Sequence, residues 1–117
     1  MCGIVGIVDA GEVSVPIYYA LYALQHRGQE SAGISTFDGE KLHKQKGQGL
    51  VSEVFDEPSL KALTGSVGVG HVRYPTTGAN LPENFQPFNF RFKEHSFAIA
   101  HNGNLVNTAE LRAEFEQ

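Results

Sequence analysis

The chain of 117 residues holds one cysteine, no cluster of basic side chains and no long apolar run. Each lack excludes a class of protein. A single cysteine makes no internal disulfide, which fits a reducing compartment, and it cannot supply a four-cysteine iron–sulfur site. Nine Lys and Arg stand against thirteen Asp and Glu, a formal net charge of −4. The basic residues are scattered, so there is no footprint for nucleic acid. The apolar stretch that starts at Cys2 is too short to span a bilayer and soon meets Asp9, and no basic segment precedes it as in a secretory signal. The five histidines show no His-x-x-x-His spacing and there is no Cys-x-x-Cys, so a metal site is not expected. Gly65, Gly68 and Gly70 match neither glycine fingerprint for phosphate. No internal repeat or low-complexity tract occurs. A cytoplasmic protein with no nucleic-acid or membrane partner is the expectation. Hydrophobic residues at 41% and charged residues at 19% are enough for one packed domain.

What the chain does have is a cysteine at its second position, in Met1-Cys2-Gly3-Ile4-Val5-Gly6-Ile7. Loss of Met1 would leave a thiol and a free α-amine on one Cα, with reference pKa values of about 8.5 and about 7.7–8.0. A nucleophile activated by an N-terminal amine is a known route to covalent catalysis. A lone cysteine among apolar residues is ordinarily a small buried hydrophobe instead, so the rest of the chain has to decide.

The pattern reads as an alternation of strands and short helices. Gly3 to Val8 is a buried strand. Ser14 can cap a helix over residues 15–27 in which Ile17, Ala20, Leu21 and Leu24 share one face, with Gly28 as its C-cap. Ser31 to Phe37 and Glu40 to Lys46 form a hairpin about Asp38-Gly39. Short helical turns follow at Leu50 to Phe55 and Pro58 to Leu63. Val67 to Tyr74 is a strand whose glycines suggest close approach of another group. Pro75 to Pro87 is a long polar loop of the kind that carries function. Phe88 to Phe92 and Ser96 to Ala100 are strands, and Asn107 with Glu110 forms a capping-box-like start to a last helix with Leu111 and Phe115 on its apolar face. That helix has no stop signal before Gln117, which reads as a fragment of something longer.

Three segments accompany Cys2. In His26-Arg27-Gly28-Gln29-Glu30-Ser31, the basic pair suits a helix C-terminus, and Arg27 could also hold the N-terminal segment through backbone carbonyls. In Gly70-His71-Val72-Arg73-Tyr74-Pro75-Thr76-Thr77-Gly78, Arg73 at a strand end can grip a carboxylate bidentately or simply pair at the surface. His71 reads as a satisfied core histidine. Asn102-Gly103 is either a tight turn or an oxyanion hole in which the Asn102 side chain and the Gly103 backbone N–H donate to a developing O⁻.

Together, Cys2-Gly3-Ile4, the run Leu24 to Gly33, the run Gly70 to Gly78, Gln86-Pro87-Phe88 and His101-Asn102-Gly103-Asn104 resemble the glutaminase domain of the class II, N-terminal-nucleophile glutamine amidotransferases. Within that family they are most similar to the glutamine phosphoribosylpyrophosphate amidotransferases, because of the Gln after His-Arg-Gly and the Arg-Tyr-Pro-Thr segment. The resemblance implies an α+β fold, part of a four-layer α/β/β/α sandwich with antiparallel sheets. It implies Cys2 as nucleophile, Asn102 and Gly103 as oxyanion hole, Arg73 on the α-carboxylate of glutamine, Tyr74 and Thr76 on a closing loop, and Arg27 supporting the nucleophile end. Residues 1–117 would be the N-terminal portion of that domain. The acidic residue that takes the glutamine α-amine, and a phosphoribosyltransferase domain that uses the ammonia and carries Mg²⁺, would lie outside it. No cofactor is implied for this portion, and unpaired sheet edges favour self-association as a homo-oligomer. Other readings are an inactive association module, a glutamine sensor, and the glutaminase of another class II amidotransferase.

Overall fold

The β-branched run at the start of the chain forms strand β1 (Gly3–Val8), whose residues alternate between half-buried and exposed. The computed structural model describes residues 2–25, 30–74, 82–102 and 106–117. β1 pairs antiparallel with β4 (Val67–Arg73), from Gly3↔Val72 to Val8↔Val67. β4 pairs on its other side with β2 (Ser31–Phe37), and β2 with β3 (Leu42–Gln48), giving an antiparallel sheet of order β1-β4-β2-β3. The return strand begins at Leu42 rather than at residue 40 because Asp38 extends the turn. Its Oδ1 accepts the backbone N–H groups of Glu40 and Lys41, each at 2.8 Å.

One face of this sheet carries the helices. Helix α1 (Ser14–Leu24) buries Ile17 and Leu21 completely, and they lie over Gly68 and Gly70 of β4. A Cβ at Gly68 would stand 2.7 Å from Ile17, and one at Gly70 would stand 2.6 Å from it. The strand glycines thus let the helix settle onto the sheet, and each fully buried aliphatic side chain contributes about 1.5–3 kcal/mol. Helix α2 (Val51–Val54) adds Val51 and Val54 to the same core, with Ala32, Ile34 and Val72 from the sheet. Helix α3 (Glu57–Ala62) is capped by Asp56, which accepts from the Ser59 N–H at 2.8 Å. Ser14 does not cap α1 as expected. It is the first helical residue, and its hydroxyl donates to the Leu60 carbonyl at 2.9 Å, tying α1 to α3. α1 ends at Leu24, and Gly28 lies outside the described residues.

The other face carries a second layer. A 3₁₀ turn (Pro82–Asn84) leads to the hairpin of β5 (Phe88–Phe92) and β6 (His95–Ile99). The chain between them presses onto β2, where a Cβ on Gly33 would lie 2.0 Å from the Gln86 carbonyl oxygen. Polar ties reinforce the contact. Lys46 Nζ donates to the carbonyls of Phe85 and Pro87, both at 3.0 Å, Ser35 Oγ donates to Asn89 at 2.7 Å, and His71 Nε2–H donates to the His101 carbonyl at 3.1 Å. Phe90, Phe92, Phe97 and Ile99 of the hairpin stay exposed. Helix α4 (Thr108–Phe115) buries none of its residues, and Asn107 makes no side-chain cap bond, unlike the capping box expected. The fold is therefore α+β, with helix, sheet and hairpin layers formed. Among the described residues no helix is long and apolar enough to cross a membrane.

Two outcomes follow from this layering. Gly33→Ala must push the Gln86 backbone off the sheet and should lower stability by about 1–3 kcal/mol. Gly6→Ala, whose Cβ meets nothing within 4 Å, should be within about 0.5 kcal/mol of the parent or slightly above it. Urea titrations of the two variants measure the contrast. His71 is fully buried, and desolvation lowers its pKa from 6.5 to about 4. An unfolded chain takes up that proton before the folded one does. His71 therefore contributes stability that is complete above pH ~6.5 and is lost as pH falls towards about 4, roughly 3 kcal/mol in all. Asp38 and Asp56, both lowered chiefly by hydrogen bonds, lose their contributions only below this window. Urea midpoints between pH 7 and 4.5 should fall in the parent, and the slope should flatten in His71→Gln.

Candidate active site

The β1–β4 register, Gly3↔Val72 and Ile4↔His71, continued by one residue brings Cys2 level with Arg73. On the far side of β4, Ser31 also faces Arg73. The nucleophile candidate and the cationic candidate thus meet at one end of the sheet on neighbouring strands, about 4.8 Å apart in the pairing direction. Cys2 is half-buried and its thiol is free.

Asn102, just past β6, completes the group. The backbone N–H of Cys2 donates to Asn102 Oδ1 at 3.3 Å across 100 positions of sequence. An N–H donor fixes which way the amide points, because only the oxygen can accept. The Asn102 Nδ2 hydrogens are then the donor end of that amide. The bond joins the start of the first sheet to the end of the hairpin.

Arg73 is largely buried. Its Nε lies 3.3 Å from Glu30 Oε2 with side-chain exposures of 11% and 16%, within ion-pair distance but not aligned as a hydrogen bond, since that oxygen has no hydrogen-bond partner. Nε is the inner nitrogen of the guanidinium, so its terminal N–H groups retain the planar fork that suits a carboxylate. The backbone repeats the contact, with the Glu30 N–H donating to the Arg73 carbonyl at 2.7 Å. The Tyr74 hydroxyl donates to the Leu24 carbonyl, binding the end of β4 to the end of α1. Ser31 Oγ and His71 Nδ1 are buried near the same end of the sheet without a hydrogen-bond partner. Among the described residues no three His, Cys, Asp or Glu side chains group as a metal site.

Of the sequence-derived candidates, Cys2 and Asn102 touch through the Cys2 N–H, and Arg73 and Tyr74 follow on the strand end beside them. Arg27, Thr76 and Gly103 lie outside the described residues. Reading the sequence missed Glu30 as the partner of Arg73, although it sits inside the segment His26 to Ser31. It noted Gln86 only as part of the Gln86-Pro87-Phe88 segment and gave it no role, yet Gln86 is buried and accepts the His101 N–H at 2.7 Å. The period of two along β4, which places His71 on the same face as Arg73, was the signal that could have linked His71 to this end of the fold.

Comparison with known proteins places the chain in a family. Residues 1–117 match the family model described as "Glutamine amidotransferases class-II". The chain is 56% identical over 119 aligned residues to an amidophosphoribosyltransferase of Methanothermobacter thermautotrophicus, covering 99% of this chain and 25% of that protein. It is 50% identical to the amidophosphoribosyltransferase of Bacillus subtilis, covering 98% of this chain and 24% of that one. It thus spans about a quarter of the length of these curated relatives. Among solved structures, the glutamine phosphoribosylpyrophosphate amidotransferase of B. subtilis, complexed with ADP and GMP, superposes with a TM-score of 0.85 at 47% identity, over 99% of this chain and 25% of that one. A structure described as the allosteric regulatory enzyme of purine biosynthesis gives 0.88 at 48%, with the same coverage. By its full-length family match, the chain belongs to the class II glutamine amidotransferases.

Proposed function

We propose that this chain is the N-terminal part of a glutaminase domain in which Cys2, with its α-amine freed by loss of Met1, hydrolyses the γ-amide of glutamine. The observation that carries the reading is the bond from Cys2 N–H to Asn102 Oδ1, because it sets the reactive residue and the amide donor face to face. The thiol gives its proton to the α-amine, and Sγ adds to the γ-carbonyl carbon. The resulting oxyanion is met by Asn102 Nδ2–H and the Gly103 N–H. As the C–N bond breaks, the amine returns the proton to the departing nitrogen, and ammonia leaves a γ-glutamyl thioester. Water then adds to the thioester carbon while the amine takes its proton. Collapse of the adduct releases glutamate and restores the thiol. Arg73 holds the α-carboxylate of glutamine, Tyr74 and Thr76 belong to the loop that covers it, and Arg27 supports the nucleophile end.

In a full-length protein like its relatives, this ammonia would pass to a phosphoribosyltransferase domain and convert phosphoribosyl pyrophosphate to phosphoribosylamine in purine biosynthesis, with Mg²⁺ belonging to that domain. A cytoplasmic setting suits the free thiol. The exposed aromatic face of the hairpin supports association, with that domain or with a second copy.

The reading has two checks. Intact mass of the purified chain should show Met1 lost and one adduct after treatment with a diazoketone analogue of glutamine, and no adduct in Cys2→Ala. An adduct that persists in Cys2→Ala, or its absence from a chain lacking Met1, would sink the proposal. In steady-state glutaminase assays, Asn102→Ala should lower kcat about 10²–10³-fold with little change in KM, since one oxyanion donor is worth about that much. Arg73→Lys should instead raise KM for glutamine about 10-fold or more, from the lost bidentate, charge-assisted contact.

A further inference from the structure

Asn102 is not held by the sheet that leads to it. The last pair in the hairpin ladder is Phe88↔Ile99, so the chain from residue 100 onward has left the ladder. Two buried side chains take its place, one from each layer. The His101 N–H donates to Gln86 Oε1 at 2.7 Å, and the His101 carbonyl accepts from His71 Nε2–H at 3.1 Å. Gln86 is 7% exposed and His71 not at all. Both backbone polar groups of the residue next to Asn102 are therefore gripped, and the adjoining side chain reaches Cys2.

We propose that His71 and Gln86 are positioning residues for the oxyanion hole, a clamp on His101 that sets Asn102 against the α-nitrogen of Cys2. The proposal rests on the glutaminase reading for its catalytic consequence but not for its geometry. The grips are themselves fixed. Gln86 is held by the close contact of its carbonyl with Gly33 and by Lys46 on the two neighbouring carbonyls. His71 stands in the row Ile4–His71–Gly33–Lys46 that crosses the sheet. Because His71 faces a carbonyl, its Nε2 must carry the hydrogen, and burial keeps the ring neutral with Nδ1 bare. The His101 ring is not the working part: it is exposed and lies 6.4 Å from Phe88, nearly parallel to it.

The test compares the parent chain lacking Met1 with His71→Leu, Gln86→Leu and His71→Gln, the last keeping an N–H donor of similar reach. Amide exchange at His101, read by NMR, should be at least 10-fold faster in both Leu variants and near the parent rate in His71→Gln. Glutaminase kcat should fall 10- to 100-fold in the Leu variants with KM within about threefold, and recover in His71→Gln. Rates of exchange and kcat within twofold of the parent in the Leu variants would overturn the clamp, as would failure of His71→Gln to recover either. A parent with slow His101 exchange and no glutaminase activity would overturn the proposed function, and the exchange comparison would still decide the clamp. If the Leu variants do not fold, His71→Asn, whose shorter amide falls short of the His101 carbonyl, serves the same comparison.

Discussion

The contact on which the site depends is the seat of the Gln86 carbonyl on Gly33. A Cβ there would lie 2.0 Å from that oxygen, so no other residue type lets the second layer come this close to the sheet. From that seat the hairpin runs out and returns to Asn102. The row that makes it possible is a single transverse line of the sheet: Ile4 on β1, His71 on β4, Gly33 on β2 and Lys46 on β3. Three of these four meet the second layer, by close approach at Gly33 and by hydrogen bonds from Lys46 and His71. Sequence separations from 30 to 53 residues are closed by these few contacts, and they orient a bond that spans 100.

β4 shows how one strand serves both helix packing and the candidate site. Its residues alternate between two unlike neighbours. Gly68, Gly70 and Val72 turn to the helices, where missing side chains admit Ile17 and Leu21. His71 and Arg73 turn to the second layer, where they meet a backbone carbonyl and Glu30. Glycine costs a strand some intrinsic stability, here offset by close helix packing on the side away from the site. The polar face holds the charged pair Arg73–Glu30 and the His71 ring, whose Nε2–H has an acceptor. Glu30 and Arg73 offset one another's charge, and His71 remains neutral.

Most of the architecture could be read from the residues. Strands with strict alternation or short β-branched runs came within two residues of their observed bounds, because a side chain in a strand has only two directions to point. Cys2 and Asn102 were legible through chemistry: a thiol at position two and an Asn-Gly after a strand each suggest a role, and the structure brings the two residues together. What could not be read is whatever depends on which distant backbone group a polar side chain finds. Ser14 looked like a cap and instead bonds to Leu60. Gln86 sits in a polar loop before a proline, where local rules offer only turn chemistry, yet it is buried because a strand glycine 53 positions earlier makes room for it. Asn107 has the right neighbours for a cap, but α4 buries nothing that would fix its geometry, so propensity alone does not build the bond.

The Cys2–Asn102 bond also bears on the proposed loss of Met1. In the chain carrying Met1, the nitrogen of Cys2 is an amide. Its lone pair is delocalised and cannot receive a proton, although its N–H can still donate to Asn102 Oδ1. Were the methionine to leave, the same nitrogen would be an amine with a lone pair and a reference pKa of about 7.7–8.0, and it would still have N–H groups for the same acceptor. On the proposed reading the contact would need no rearrangement for that nitrogen to take up a proton. Under the proposed function only the acid–base character of that one atom would change, and the fold built around Gly33 and His101 already holds it in place.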